Sequence, residues 1–273
     1  MGRGIAYLSA LAGYDTVIHD VDGGALEAAK ASVESTLRKG VEKGKVAEAA
    51  AREAMARIQL ATELEPAVRT ADLIIEAVPE DLDLKMNIFS QADVICGEET
   101  ILASNTSSIS ITQLAKSVER RGQFVGMHFF NPPHVMKLVE IVRGERTSDS
   151  TIEQARAVAQ KMGKQPIVVR DSPGFATSRL GVAIGLEAIR MLEDGVASAE
   201  DIDRAMELGY NHPMGPLRLS DLVGLDVRLG IAEYLAATLG PRFEPPELLR
   251  KMVRDGRLGR KSGKGFYDWN DEG

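Results

Sequence analysis

The chain has a single cysteine, Cys96. One thiol excludes an internal disulfide and any zinc site built on paired cysteines, and no metal is expected. Basic residues are the minority, 33 Lys and Arg against 40 Asp and Glu, for a formal net charge of -7. With no basic tail, nucleic acid is not expected as a partner. No apolar run approaches the ~18 residues of a membrane span, so no membrane partner is expected either. What the chain does have is 44% hydrophobic and 27% charged residues over 273 positions, the balance of a sequence that buries a core. The segment from Ile5 to Gly13 has some look of a secretion signal. Tyr7 and Ser9 interrupt it, however, and a strand-like run follows at once, so a cytoplasmic protein is expected.

Periodicity divides the chain in two. Ile5, Leu8, Leu11 and Ala12 recur at helical spacing, and Thr16–Asp20 reads as a strand ending in a carboxylate. Residues 24–60 read as two helical segments, a hairpin insertion, with Val46, Ala50, Ala54 and Ile58 marking the second. From there strand and helix alternate. Leu73–Val78, Thr100–Ser104, Phe124–Phe129, Leu138–Val142 and Pro166–Arg170 are compact apolar runs, with helical patterns over 82–95, 109–118 and 150–162. Nearly continuous apolar strands separated by helices predict an α/β doubly wound sheet with both faces covered. After Asp171-Ser172-Pro173-Gly174 no strand is evident until the last residues. Ser198 is placed to cap a helix ending near Gly209, two further helices stop at Gly240 and Gly256, and Pro245-Pro246 opens the last. The expected domains are therefore 1–171 and an all-helical 172–273, the second completing its core by pairing with a copy of itself.

Two constellations carry chemistry. Gly2 and Gly4 open the first helix, and Asp20 ends the next strand 18 residues after Gly2. That is the later half of a dinucleotide fingerprint, in which the acid takes the adenosine ribose; the alternative is an ordinary turn aspartate. If the site is real, Asp20 and Asp22 repel a 2′-phosphate and favour NAD over NADP. The second constellation is Ser107 after one strand, His128 near the end of the next, and Glu140 in Leu138-Val139-Glu140-Ile141. Loops at the C-terminal ends of parallel strands are where open α/β sheets hold ligands. The Asn131-Pro132-Pro133 turn can return Glu140 beside His128, and a carboxylate on one imidazole nitrogen leaves the other as a base. Each residue also has a structural alternative: Ser107 as a helix cap, His128 as a hydrogen-bonded core histidine, Glu140 on the solvent side of an edge strand. A serine hydrolase fits poorly, because Ser107 lacks the G-x-S-x-G context and the order is Ser, His, Glu.

Together these motifs resemble the L-3-hydroxyacyl-CoA dehydrogenase family, including the bacterial 3-hydroxybutyryl-CoA dehydrogenases. The resemblance runs from Met1 to about Trp269. It rests on Ile75-Glu76-Ala77-Val78-Pro79-Glu80, Ala103-Ser104-Asn105-Thr106-Ser107-Ser108, His128-Phe129-Phe130-Asn131-Pro132 and Asp171-Ser172-Pro173-Gly174-Phe175. It continues in His212-Pro213-Met214-Gly215-Pro216 and Gly259-Arg260-Lys261-Ser262-Gly263-Lys264-Gly265-Phe266-Tyr267.

The resemblance implies a Rossmann-type sheet followed by a helical domain that dimerises. It implies NAD-dependent interconversion of (S)-3-hydroxyacyl-CoA and 3-oxoacyl-CoA, in fatty-acid metabolism and β-oxidation. By position, His128 is the base, Glu140 its orienting carboxylate, and Ser107 the group that meets the reacting oxygen, the nicotinamide and the acyl-CoA. Gly2, Asp20, Glu80, Lys85, Asn131 and Lys261 are implied as cofactor contacts, and Thr36 and Lys43 as coenzyme A contacts. Arg38, Lys39, Lys43 and Lys45 form a basic cluster suited to phosphates or, equally, a solvated helix face. The family opens with a strand and a full G-x-G-x-x-G, of which only Gly2 is found here. The start is expected to lie about ten residues late for a full Rossmann core, which would leave a gap in the ladder. Where the family usually has a substrate-holding Asn the chain has Ser178, which reaches through a water or yields the role to Thr177. A sugar-acid dehydrogenase of the same fold, and a cofactor-binding homologue without turnover, are the other expectations carried forward.

Overall fold

The structure is a computed structural model that describes residues 1–270. Two units are distinguished by their internal contacts, Met1–Asp171 and Ser172–Gly273.

In the first unit the apolar runs become short strands and the amphipathic stretches become helices packed on them. The order is α1 (Gly2–Leu11), β1 (Thr16–His19), α2 (Gly23–Glu42), α3 (Glu48–Ala56), β2 (Ile58–Ala61), α4 (Leu64–Val68) and β3 (Leu73–Glu76). It continues with α5 (Leu82–Ile95), β4 (Ile101–Ser104), α6 (Ile111–Leu114), β5 (Phe124–Phe129), β6 (Leu138–Arg143), α7 (Asp149–Lys161) and β7 (Gln165–Arg170). Side-chain caps set several helix starts. Asp22 accepts from the N–H of Gly24 and Ala25, Asp81 from Leu84 and Ser148 from Thr151, each cap worth about 1 kcal/mol.

The strands form two sheets. β1 and β2 pair in parallel, and β3-β4-β5-β6-β7 form a five-stranded sheet in which only the β5–β6 pair is antiparallel. Among the described residues, β1 and β2 share no ladder hydrogen bonds with the five-stranded sheet. Val125, Met127 and Phe129 of β5 point into one core with Ile5 and Leu8 of α1, Val33 and Leu37 of α2, and Ile152 of α7. Phe124 belongs to the other face by the two-residue period of a strand, and there it meets Phe89 of α5 edge-on, ring centroids 4.6 Å apart. Ile5, Tyr7 and Leu8 are themselves buried in this core.

The expectation for the 24–60 segment is corrected. The second helix of the 24–60 hairpin stops at Ala56, and Ile58–Ala61 is a strand. Ile58 lies four residues after Ala54 and so continues the helical spacing. Pairing with β1 overrides it, with Ile58 opposite Thr16 and the Thr16 N–H donated to the Arg57 carbonyl at 2.9 Å.

The second unit contains α8 (Thr177–Glu193), α9 (Ala199–Tyr210), α10 (Pro216–Val223), α11 (Leu225–Leu239) and α12 (Glu247–Arg254). Ser198 caps α9 by accepting from Asp201. Between Gly209 and Gly256 there are three helices rather than the expected two, because Gly224, at φ +100°, separates α10 from α11. Leu186, Ile189, Leu217, Leu225, Leu235 and Leu249 are fully buried in its core. Asp221, also fully buried, accepts from the N–H of Phe266 and Tyr267 and from Trp269 Nε1, which fastens the C-terminal segment onto α10. A Cβ on Gly265 would lie 2.1 Å from Asp221 Oδ1, so only glycine fits that crossing. Among the described residues no helix is long and apolar enough to cross a membrane.

Candidate active site

The antiparallel pairing of β5 with β6 places His128 directly opposite Glu140. Facing residues in such a pair project to the same side of the sheet within side-chain reach, and His128 Nδ1 lies 2.7 Å from Glu140 Oε2. Glu140 has no exposed surface and His128 is 7% exposed. β6 lies between β5 and β7, so Glu140 is neither on an edge strand nor turned to solvent. A carboxylate accepts, so this contact assigns the Nδ1 proton and puts the basic lone pair on Nε2. The ring of Phe130 packs against the imidazole, centroids 4.5 Å apart.

Ser107 lies on the loop after β4. It does not cap the following helix: Ser110 does, accepting from the N–H of Gln113. The loop is instead gathered around Glu80. One oxygen of Glu80, Oε1, faces Thr106 Oγ1 at 2.6 Å, Ser108 Oγ at 2.9 Å, the N–H groups of Ser107 and Ser108 at 3.0 Å each, and Ser107 Oγ at 3.4 Å. A single carboxylate oxygen cannot serve five donors equally. The Ser107 hydroxyl is held at the longest reach and is the one most easily given up to another acceptor. Burial pushes the Glu80 carboxyl up, but the hydrogen bond from Thr106, the Lys85 ammonium and the donors of Ser108 and Ser107 outweigh it and hold it below its ordinary value. Asn105 joins this loop to the other strand, its Oδ1 accepting the Phe129 N–H at 2.9 Å.

Lys85 is buried, with Nζ 2.7 Å from Glu76 Oε1, 3.1 Å from the Val78 carbonyl and 3.4 Å from Glu80 Oε2. Glu76, Asn105 and Thr106 were not singled out from the sequence as site residues. The available signal was an acid ending the apolar run Leu73-Ile74-Ile75, with a lysine in the first turn of the next helix.

The other candidates occupy defined places. Gly2 is the first residue of α1, whose first turn has no side-chain cap and no acidic residue. A Cβ on Gly4 would lie 2.8 Å from Pro133 Cγ, so that glycine lets α1 pack on the turn after Asn131. Asp20 follows β1 and is exposed, its Oδ1 accepting the Asp22 N–H at 3.0 Å. An uncapped helix N-terminus opened by glycine, with an exposed carboxylate after the neighbouring strand, fits a dinucleotide's pyrophosphate and ribose. Thr36 and Lys43 stand seven residues apart on α2 and its C-cap, two turns along one face. Lys43 is exposed, and the Thr36 hydroxyl donates to the Ser32 carbonyl. In the second unit Ser178 is the second residue of α8, and Lys261 Nζ is paired with Asp226 Oδ2 at 2.6 Å.

The chain is similar throughout to known proteins. Residues 1–172 match the family described as "3-hydroxyacyl-CoA dehydrogenase, NAD binding domain", and residues 174–269 match "3-hydroxyacyl-CoA dehydrogenase, C-terminal domain". A probable 3-hydroxybutyryl-CoA dehydrogenase of Deinococcus radiodurans is 46% identical over 270 residues, covering 98% of this chain and 96% of that protein. The 3-hydroxybutyryl-CoA dehydrogenase of Clostridioides difficile is 44% identical, with 99% and 96% covered. The crystal structure of (S)-3-hydroxybutyryl-CoA dehydrogenase PaaH1 from Ralstonia eutropha superposes with a TM-score of 0.95 at 44% identity, over 99% of this chain and 96% of that one. Matches of this extent in both units, around a paired histidine and glutamate, place the chain in the NAD-dependent 3-hydroxyacyl-CoA dehydrogenase family.

Proposed function

We propose that this protein interconverts (S)-3-hydroxyacyl-CoA and 3-oxoacyl-CoA, with His128 as the general base and acid. The observation that carries the reading is the buried His128–Glu140 contact of 2.7 Å beside the loop that bears Ser107. In the oxidative direction His128 Nε2 removes the proton of the 3-hydroxyl, and Glu140 stabilises the resulting imidazolium. The Ser107 hydroxyl, weakly held by Glu80, donates to the substrate oxygen and orients it. NAD, when bound, accepts the hydride from carbon 3. In the reverse direction the same imidazolium returns its proton to the reduced oxygen.

Gly2 and Asp20 would hold the pyrophosphate and adenosine ribose of NAD, and the carboxylates of Asp20 and Asp22 disfavour a 2′-phosphate. Glu80 and Asn131 line the same ends of the strands, Lys85 supports Glu80 from beneath, and Lys261 is the remaining cofactor candidate. Thr36 and Lys43 would contact coenzyme A, with Arg38, Lys39 and Lys45 adding positive charge nearby. Ser178 is the candidate for holding the acyl carbonyl. The protein is proposed to work in the cytoplasm, in acyl-CoA metabolism, and as a homodimer through its helical unit. There Leu180, Ile184, Leu219, Leu222, Val223 and Val227 are all exposed on α8, α10 and α11, the kind of apolar surface that a second copy covers.

Steady-state oxidation of NADH tests the reading. Saturation by acetoacetyl-CoA, with little response to free 3-oxo acids and a clear preference for NADH over NADPH, is expected. Reduction of NAD that saturates with free sugar acids, with no NADH oxidation by the thioester, would overturn it.

A further inference from the structure

Glu76 and Lys85 form a deeply buried charged pair in the first unit, both side chains 1% exposed. Charges this deep are tolerated when every group is hydrogen-bonded. Glu76 Oε1 accepts from Lys85 Nζ and from the Val78 N–H, each at 2.7 Å, and Oε2 accepts from Ser104 Oγ at 2.7 Å.

Three routes leave this one residue, and all end on the loop of Ser107. Along the first, Lys85 faces Glu80 at 3.4 Å, and Glu80 gathers Thr106, Ser107 and Ser108. Along the second, the Ser104 oxygen accepts the Thr106 N–H at 3.2 Å. The third is the backbone: the Glu76 carbonyl accepts the Asn105 N–H at 2.9 Å. Apolar side chains of similar volume would fill this space about as stably as an ion pair. They would not fix the amides and hydroxyls of residues 104–108.

We propose that Glu76 is a positioning residue for Ser107, holding the 105–108 loop through Lys85–Glu80 on one carboxylate oxygen and Ser104 on the other. The inference rests on the reading of Ser107 as the group that meets the reacting oxygen. Glu76 acts through that hydroxyl and touches neither substrate nor cofactor.

The test is a double-mutant cycle with a second readout that needs no turnover. Glu76→Gln is compared in the wild-type and Ser107→Ala backgrounds by kcat and KM with acetoacetyl-CoA and NADH. Amide hydrogen exchange at Thr106, Ser107 and Ser108 is followed in the same proteins. In the wild-type background kcat falls about 10- to 100-fold, the scale of a small misplacement of a reacting group, with KM moved less than about 3-fold. In the Ser107→Ala background the further loss is less than about 3-fold, because the two residues act as one unit. Exchange at the three amides accelerates. Equal losses in both backgrounds, or unchanged exchange, would overturn the proposal. Should Glu76→Gln fold poorly, the paired variant Glu76→Gln/Lys85→Met removes both buried charges. It is expected to recover the melting temperature without recovering kcat, and recovery of both would also overturn it. A wild type that does not turn over acetoacetyl-CoA would refute the proposed reaction, and the exchange data would still decide the role of Glu76.

Discussion

The Asn105 side-chain oxygen accepts the Phe129 N–H at 2.9 Å, so the loop that carries Ser107 is tied to the residue next to His128. Phe129 is 3% exposed, and water does not readily replace the lost partner. Asn105→Ala is expected to destabilise the protein by about 1–3 kcal/mol, the cost of a buried unpaired N–H. It is also expected to lower kcat more than it raises KM. Urea denaturation with parallel kinetics checks both, and a rate loss without loss of stability would argue against this coupling.

Glu140 is fully buried and meets His128 through one oxygen. Glu140→Gln keeps the shape but removes the charge that favours the imidazolium, and it presents either an amide oxygen or an amide N–H to Nδ1. A fall in kcat of about 10²- to 10⁴-fold is expected, by analogy with the loss of a histidine-orienting carboxylate, with the KM for the thioester changed little. A variant of near wild-type kcat would show that Glu140 only fills space.

The Glu80 carboxyl is held below its ordinary value of 4.5, since its hydrogen bonds and the Lys85 charge outweigh burial. A carboxyl depressed in the folded state contributes stability that is present above its unfolded pKa and is lost as pH falls through the folded one. Wild-type protein is therefore expected to exceed Glu80→Gln in melting temperature at pH 7. The difference should shrink as pH drops below about 4.5. Melting curves at pH 7, 5 and 4 measure it, and a gap that stays constant or widens in acid would contradict the assignment.

Leu180 is 62% exposed and Val227 44% exposed on the helical unit. Charged substitutions there are expected to leave the fold intact, because surface changes usually move stability by less than about 0.5 kcal/mol. A dimer held by this surface should dissociate in Leu180→Glu/Val227→Glu. Sedimentation velocity at micromolar concentration separates the outcomes: a folded monomeric variant beside a dimeric wild type is expected, and an unchanged dimer would place the interface elsewhere.

Much of the architecture is legible in the sequence where local and tertiary preferences agree. Residues 82–95 are helical, with Asp81 as a capping acid, and Phe124–Phe129 is a mostly apolar run that forms a buried strand. Ile58–Ala61 is not legible, because Ile58 keeps the four-residue spacing of the helix before it and becomes strand only by pairing with Thr16. The break at Gly224 is hidden because the apolar residues on either side of it are compatible with one continuous helix. The closeness of His128 and Glu140 follows from the antiparallel return of β6 on β5 after the Asn131-Pro132-Pro133 segment. The Glu76–Lys85–Ser104 cluster depends on the register that sets Glu76 beside Ser104, and a separation of 28 residues carries no trace of it.

The account stands or falls on the imidazole of His128, and the most direct measurement is NADH oxidation by acetoacetyl-CoA in the wild type and in His128→Ala. Saturable turnover in the wild type and a fall in kcat of about 10²- to 10⁴-fold in the variant, the range for loss of a general acid–base group, is the expected result. Binding of the thioester should persist in the variant. A His128→Ala protein that turns over at the wild-type rate would contradict the mechanism.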